Sequence, residues 1–143
     1  MTAETCIDSS ILVAAMVSTE AVHEECRALV VTRSMGMYAH GITETFSTLT
    51  GGRSAFRLSA ETAAQFLDEH FIPLLEVVTL TPIEMLRAMR ESPSRGVRDG
   101  AIFDYLHLVA ARKAKAKRLY TLNLSNFRAF HRPGDPEVLH PRT

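Results

Sequence analysis

Asp8, Glu44 and Asp104 are the residues of this chain whose type and setting suggest chemistry. Asp8 ends the run Thr5-Cys6-Ile7, Glu44 lies just past Met37-Tyr38-Ala39, and Asp104 interrupts the apolar segment Ala101-Ile102-Phe103 … Tyr105-Leu106. They stand 36 and 60 residues apart, so only a folded sheet brings them together. At about 5 Å and an effective dielectric near 20, each carboxylate pair repels by roughly 3 kcal/mol. Three such pairs cost about 10 kcal/mol, comparable to the whole stability of a domain. A gathered cluster must therefore bind protons or a cation. Oxygen-only ligands favour a hard ion, Mg²⁺ with Mn²⁺ as a substitute, and such an ion beside an acidified water points to hydrolysis of phosphate esters.

Each acid also has a plainer reading. Asp8 can simply cap the helix that follows it. Glu44 can be a solvated first-turn residue favoured by the helix dipole. Asp104 is harder to dismiss, because an aspartate buried among Phe103, Leu106 and Leu108 needs a partner.

The elements that must position these acids alternate short apolar strands with longer helical patterns. Strands are expected at 5–8, 37–40, 76–80 and 119–122, with a possible edge strand at 137–139. Between them the spacing predicts helices from Ser9 or Ser10 (either serine as cap), over 20–32, over 42–50, from Ser59, from Thr81-Pro82, over 99–115, and briefly over 125–130. Residues 92–96 read as a loop. The helix over 99–115 carries an apolar stripe of Ile102, Phe103, Leu106, Val109 and Ala110, expected to face inward. Strands separated by helices define an α/β domain with a central, mainly parallel sheet of four or five short strands. Such sheets bind ligands at the carboxyl edge of their strands, and topology maps all three acids to that edge.

The bulk composition is compatible with this reading. At 143 residues, 46% apolar and 22% charged, the chain fits one globular domain over residues 1–143. No run approaches the roughly 18–20 apolar residues of a membrane span, and the N-terminus lacks the pattern of a signal peptide, so no membrane partner and a cytoplasmic location are expected. Cys6 and Cys26 read as reduced, buried thiols, and the lone His23-x-x-Cys26 pair has no second pair to complete a zinc site. A net charge of zero argues against coating nucleic acid by bulk electrostatics. It does not exclude an enzyme that meets phosphate through a metal.

The residues around the acids also form a pattern. Ile7-Asp8-Ser9-Ser10, Ile42-Thr43-Glu44-Thr45-Phe46, Ile102-Phe103-Asp104-Tyr105-Leu106 followed by Ala110-Ala111, and Leu119-Tyr120-Thr121-Leu122-Asn123 followed by Phe127 occur in that order. In this the chain resembles the PIN-domain ribonucleases, most closely the small VapC-type toxins of bacterial toxin–antitoxin pairs. The resemblance implies a metal-dependent endoribonuclease that cleaves RNA phosphodiesters with a metal-activated water. Asp8, Glu44 and Asp104 would fall on its metal ligands, with Ser10, Thr121 and Asn123 in support. It also implies a homodimer silenced by a small antitoxin. One position departs from the family pattern: Asn126 stands where a fourth acid is usual, which implies weaker binding of a second metal. An alternative reading follows, a catalytically weakened module that binds RNA or an antitoxin without cutting.

Among the cations, Arg95, Arg98 and Arg128 are the candidates for phosphate contact, because their loops border the acidic edge and arginine suits bidentate phosphate binding. The basic run Arg112, Lys113, Lys115, Lys117 and Arg118 lies about 15–20 Å along the helix from that edge, and reads first as a favourable helix C-terminus. His107, one turn after Asp104, reads as a packed histidine before a general base. Neither a serine-hydrolase signature nor a phosphate-binding glycine loop is present. A phospho-receiver would want a second acid beside Asp8, where Ser9 and Ser10 stand.

Overall fold

The computed structural model describes residues 3–32, 34–52 and 56–142. Five strands, β1 (Thr5–Ile7), β2 (Met35–Tyr38), β3 (Leu75–Val78), β4 (Arg118–Tyr120) and β5 (Glu137–Leu139), form one sheet in the order β3-β2-β1-β4-β5. Every pairing is parallel. The helices are α1 (Ser9–Met16), α2 (His23–Thr32), α3 (His40–Thr50), α4 (Ala60–Phe66), α5 (Pro82–Glu91), α6 (Ala101–Lys113) and α7 (Leu124–Arg128). The expected α/β class and parallel sheet are therefore present, with 137–139 as a true edge strand.

Covering both faces of the sheet explains why β1 and β2 are buried at every position. Alternate residues serve opposite layers. Cys6, Tyr38 and Leu119 join Tyr105, Leu108, Phe127 and Phe130 in one core. Ile7, Met35, Met37 and Tyr120 face the other, with Ile11, Leu12, Cys26 and Val30. Both cysteines are free and buried, and burial pushes each thiol up to about 12. His23 Nδ1 donates to the Ala14 carbonyl at 2.8 Å, which gives it a structural role.

Three local expectations are corrected. The cap of α1 is Asp8, as its plainer reading expected, in place of Ser9 or Ser10, because the carboxylate accepts from the Ser10 and Ile11 amides. Residues 92–95 form a 3₁₀ turn rather than an open loop. Helix α6 starts at Ala101, so Asp99 lies outside it, exposed and in the left-handed region at φ 54°. The inward stripe of α6 also changes. Tyr105, Leu106, His107, Leu108, Ala110 and Ala111 are buried, whereas Phe103 is 53% exposed. Phe103 shares a helix face with His107, four residues on, but the first turn of α6 overhangs the edge of the core.

Candidate active site

Chain order and sheet order diverge at β1. From it the chain builds outward to β2 and β3, then crosses to β4 and β5 on the other side. The carboxyl ends of β1 and β4 thus flank the switch point at which parallel sheets open a crevice. Asp8 follows β1 directly and is 2% exposed. Its Oδ1 accepts from the Ser10 amide (3.0 Å), the Ser10 hydroxyl (2.5 Å) and the Ile11 amide (3.4 Å). Its Oδ2 accepts from the Thr121 hydroxyl at 2.6 Å. Four donors are what a buried carboxylate requires. The same hydroxyls tie the strands' ends together: Thr121 Oγ1 accepts from the Asn123 amide and Ser10 Oγ from the Leu122 amide, both at 3.0 Å. Asn123 therefore contributes through its backbone.

Glu44 projects from α3, one turn past β2. Its Oε1 accepts from His107 Nε2 at 2.6 Å, and since a carboxylate only accepts, Nε2 carries the proton. His107 is buried on α6, and its Nδ1 has no hydrogen-bond partner among the described residues. The bond depends on the close approach of His107 to the start of α3, which Gly41 allows. A Cβ at Gly41 would meet His107 Cε1 at 3.0 Å and Met37 Sδ at 2.9 Å. Tyr38 packs edge-on against His107 and stacks on His40. Its buried hydroxyl has no partner among the described residues, and desolvation, aided by the Glu44 charge, raises its pKa.

Asp104 lies in the first turn of α6, half-buried. Burial raises its pKa from the ordinary aspartate value, and the charge of Asp8 adds to the rise. The Asn126 amide and His107 pull the other way, and Glu44 adds further repulsion. Asn126 donates to Asp104 Oδ2 at 3.3 Å. The fold thus brings the three sequence-predicted acids within electrostatic reach of one another. Their donor set, all oxygen with unneutralised charge, suits a hard cation in kind. In the conformation described, however, Glu44 is turned to His107 and Asp104 to Asn126. Among the described residues no three His, Cys, Asp or Glu side chains form a metal cage.

The predicted phosphate contacts divide. Arg95 is drawn away: its guanidinium donates to Asp135 at 2.5 Å and to the Phe130 carbonyl, and lies over the Tyr105 ring. It braces α6 and α7 against the 131–136 turn and is not turned to the acids. Arg98 and Arg128 are exposed. In the basic run, Arg112 pairs with Glu91 and Lys113 with Glu84, while Lys117 and Arg118 approach Glu4. These are structural roles at the far end of α6.

Two grooves border the acids. One, of about 480 Å³, is lined by His40, Thr43, Glu44, Ser47, Thr48 and Phe103. The other, of about 290 Å³, includes Ser9, Ser10, Leu122 and Asn123, and shares Thr48. Sequence reasoning missed His107 as the partner of Glu44, although its i+3 spacing from Asp104 was a usable signal. It also missed His40 and Phe103 as walls of the larger groove, because one lies on α3 and the other on α6, helices far apart in the chain that meet only in the fold.

Comparison with known proteins separates fold from sequence. No family model matches the chain, and no curated protein does. Among solved structures, VapC20 of Mycobacterium tuberculosis, a sarcin–ricin loop cleaving toxin, superposes with a TM-score of 0.68 at 17% identity, covering 92% of this chain and 99% of its own. VapBC2 of Rickettsia felis, bound to a DNA fragment from its promoter, gives 0.65 at 16% identity, covering 95% and 97%. FitAcB of Neisseria gonorrhoeae gives 0.67 at 12%, covering 96% and 98%. The chain therefore shares the fold of these three structures.

Proposed function

We propose that this chain is a metal-dependent endoribonuclease, the toxin of a toxin–antitoxin pair. The observation that carries the reading is the convergence of Asp8 and Asp104 at the β1–β4 switch point, near enough that one charge raises the pKa of the other. A fold shared with a toxin that cleaves the sarcin–ricin loop supports an RNA substrate. The cation is Mg²⁺, with Mn²⁺ as a substitute, held by Asp8, by Asp104 once it turns from Asn126, and by the Glu44 oxygen that His107 does not engage. When bound, it supplies positive charge for a phosphodiester transition state and a more acidic water.

The chain's own residues do the rest. Asp8 is locked by four hydrogen bonds, so its orientation needs no reorganisation. Thr121 and Ser10 hold it there and join β1 to β4. His107 fixes one oxygen of Glu44 and leaves the other for a ligand. Arg98 and Arg128, both exposed, are the cations of this reading that remain free to meet a substrate phosphate. A small antitoxin as partner is supported by fold likeness to VapBC2. A homodimer in the cytoplasm completes the proposal, and the outward face of α5, with Ile83, Leu86 and Met89 exposed, is its candidate contact. Among the described residues no helix is long and apolar enough to cross a membrane.

Asn126 favours a second reading, a module that binds RNA or an antitoxin without cutting, since its amide occupies an oxygen of Asp104 and brings no charge. Incubating the purified protein with structured RNA in Mg²⁺ or EDTA decides between them. The nuclease reading predicts Mg²⁺-dependent cleavage that falls by at least about 100-fold in Asp8→Asn and in Asp104→Asn. Metal-independent or unchanged cleavage in those variants would remove it, and binding without any cleavage would install the second reading.

A further inference from the structure

The larger groove has a composition that the acids do not explain. Its floor and one wall come from α3, with exposed Thr43 and Ser47 presenting hydroxyls and Glu44 at the end nearest the other acids. Its other wall is Phe103, the residue before Asp104, which is 53% exposed although the other large apolar residues of its helix are buried or half-buried. His40 completes the lining, and its imidazole plane is held parallel to Tyr38, with centroids 5.0 Å apart and 24° between the planes. Among the described residues no lysine or arginine lines the groove.

These features select a class of ligand. A phosphate would meet the Glu44 carboxylate with no cation to offset it. An extended apolar segment would leave the hydroxyls and the imidazole desolvated without partners. A nucleobase suits every wall: a flat aromatic face to stack on, and polar edges for hydroxyl and imidazole groups. The adjacency of Phe103 to Asp104 places that base next to the acids.

We propose that the groove between α3 and α6 holds one unstacked base of a single-stranded RNA, with Phe103 as its stacking platform. The choice of RNA rests on the ribonuclease reading above, but the base site itself does not require cleavage. Binding to this site restricts the substrate to RNA whose base beside the scissile phosphate is free of a duplex, because a paired base is not available to stack on a side chain.

Uncharged probes separate this site from the metal and from catalysis. The full chain, in EDTA, is titrated with each of the four ribonucleosides and followed by its ¹H–¹⁵N NMR spectrum. The expected result is saturable movement of the Thr43, Ser47 and Phe103 amide signals with at least one nucleoside. Phe103→Ala then weakens that binding by roughly tenfold or more, as loss of a base–aromatic stack does, while Phe103→Trp retains it. Because Phe103 is exposed, both variants fold, which their melting curves verify. Silence of those amides to all four nucleosides overturns the proposal and leaves the groove to a protein partner. Equal binding by Phe103→Ala, or equal loss in Phe103→Trp, overturns it as well. None of these outcomes touches the ribonuclease reading, which stands or falls on the Mg²⁺ and EDTA comparison.

Discussion

His107 carries a conflict between stability and function in one side chain. Its Nε2 serves Glu44 at 2.6 Å, while its buried Nδ1 is left without a donor. A buried ring nitrogen without a partner costs about 1–3 kcal/mol, whereas Glu44, 32% exposed, can be hydrated if its bond to His107 is lost. Leucine has similar bulk and no polar atoms. His107→Leu is therefore expected to melt higher than the native protein yet cut RNA about 10–100-fold more slowly, the usual effect of removing a group that orients a ligand. His107→Gln, which can still donate to Glu44, should recover part of the activity. A lower melting temperature together with native activity for the leucine variant would show that the histidine serves packing alone. The sequence pointed to Asp8, Glu44 and Asp104 because acids beside apolar runs are unusual locally. It hid the His107 bond, whose partner lies 63 residues away on another helix.

At the scale of elements, the helices that frame the site are fastened at their ends. Thr81 and Glu84 form a capping box at the start of α5: the Thr81 hydroxyl accepts from the Glu84 amide, and the Glu84 carboxylate accepts from the Thr81 amide. Lys113, in the last turn of α6, donates to the same carboxylate at 2.8 Å and to the Thr79 carbonyl at 2.7 Å. The Lys113 bond, with the Thr81 amide, holds the Glu84 carboxyl down at about 2. A carboxyl depressed in the folded state stabilises above its unfolded value and loses that contribution as acid protonates it. Urea unfolding should therefore show Thr81→Ala less stable by about 1 kcal/mol at neutral pH. Glu84→Gln should lose less than the native protein as pH falls from about 4.5 towards about 2. Parallel loss in the two proteins across that window would contradict the assignment. Thr81-Pro82 was readable as a helix start from two adjacent residues. The partner that matters most, Lys113, was not, since in sequence it belongs to a basic run with no visible counter-charge.

The whole molecule reads as a scaffold with its chemistry at one edge. Alternation of apolar strands and periodic helices was enough to foresee an α/β unit with parallel strands, because covering both faces of a sheet leaves continuous apolar runs such as Met37-Tyr38-Ala39. Strand order was not foreseeable, and it is the order, with β1 central, that sets Asp8 against Thr121. Neutral overall charge was equally silent about where arginines end up. Arg95 is spent on Asp135, 40 residues on, and the basic run on Glu84 and Glu91. What remains at the edge is negative, with Asp104 holding its proton more firmly than in the unfolded chain. Such a group stabilises most when protonated, and that contribution is lost as pH rises through the raised value.

That linkage gives the central claim its most direct measurement, calorimetric and thermal titration of the purified protein with Mn²⁺ and Mg²⁺ at neutral pH. Without cation, Asp104→Asn is expected to melt higher than the native protein, because the charge that burial and Asp8 oppose is gone. With cation, the native protein should bind saturably and gain stability, about 1.4 kcal/mol at ten times the dissociation constant, whereas Asp8→Asn and Asp104→Asn bind at least about tenfold more weakly. Absence of cation binding by the native protein, or equal binding by both variants, would contradict the account.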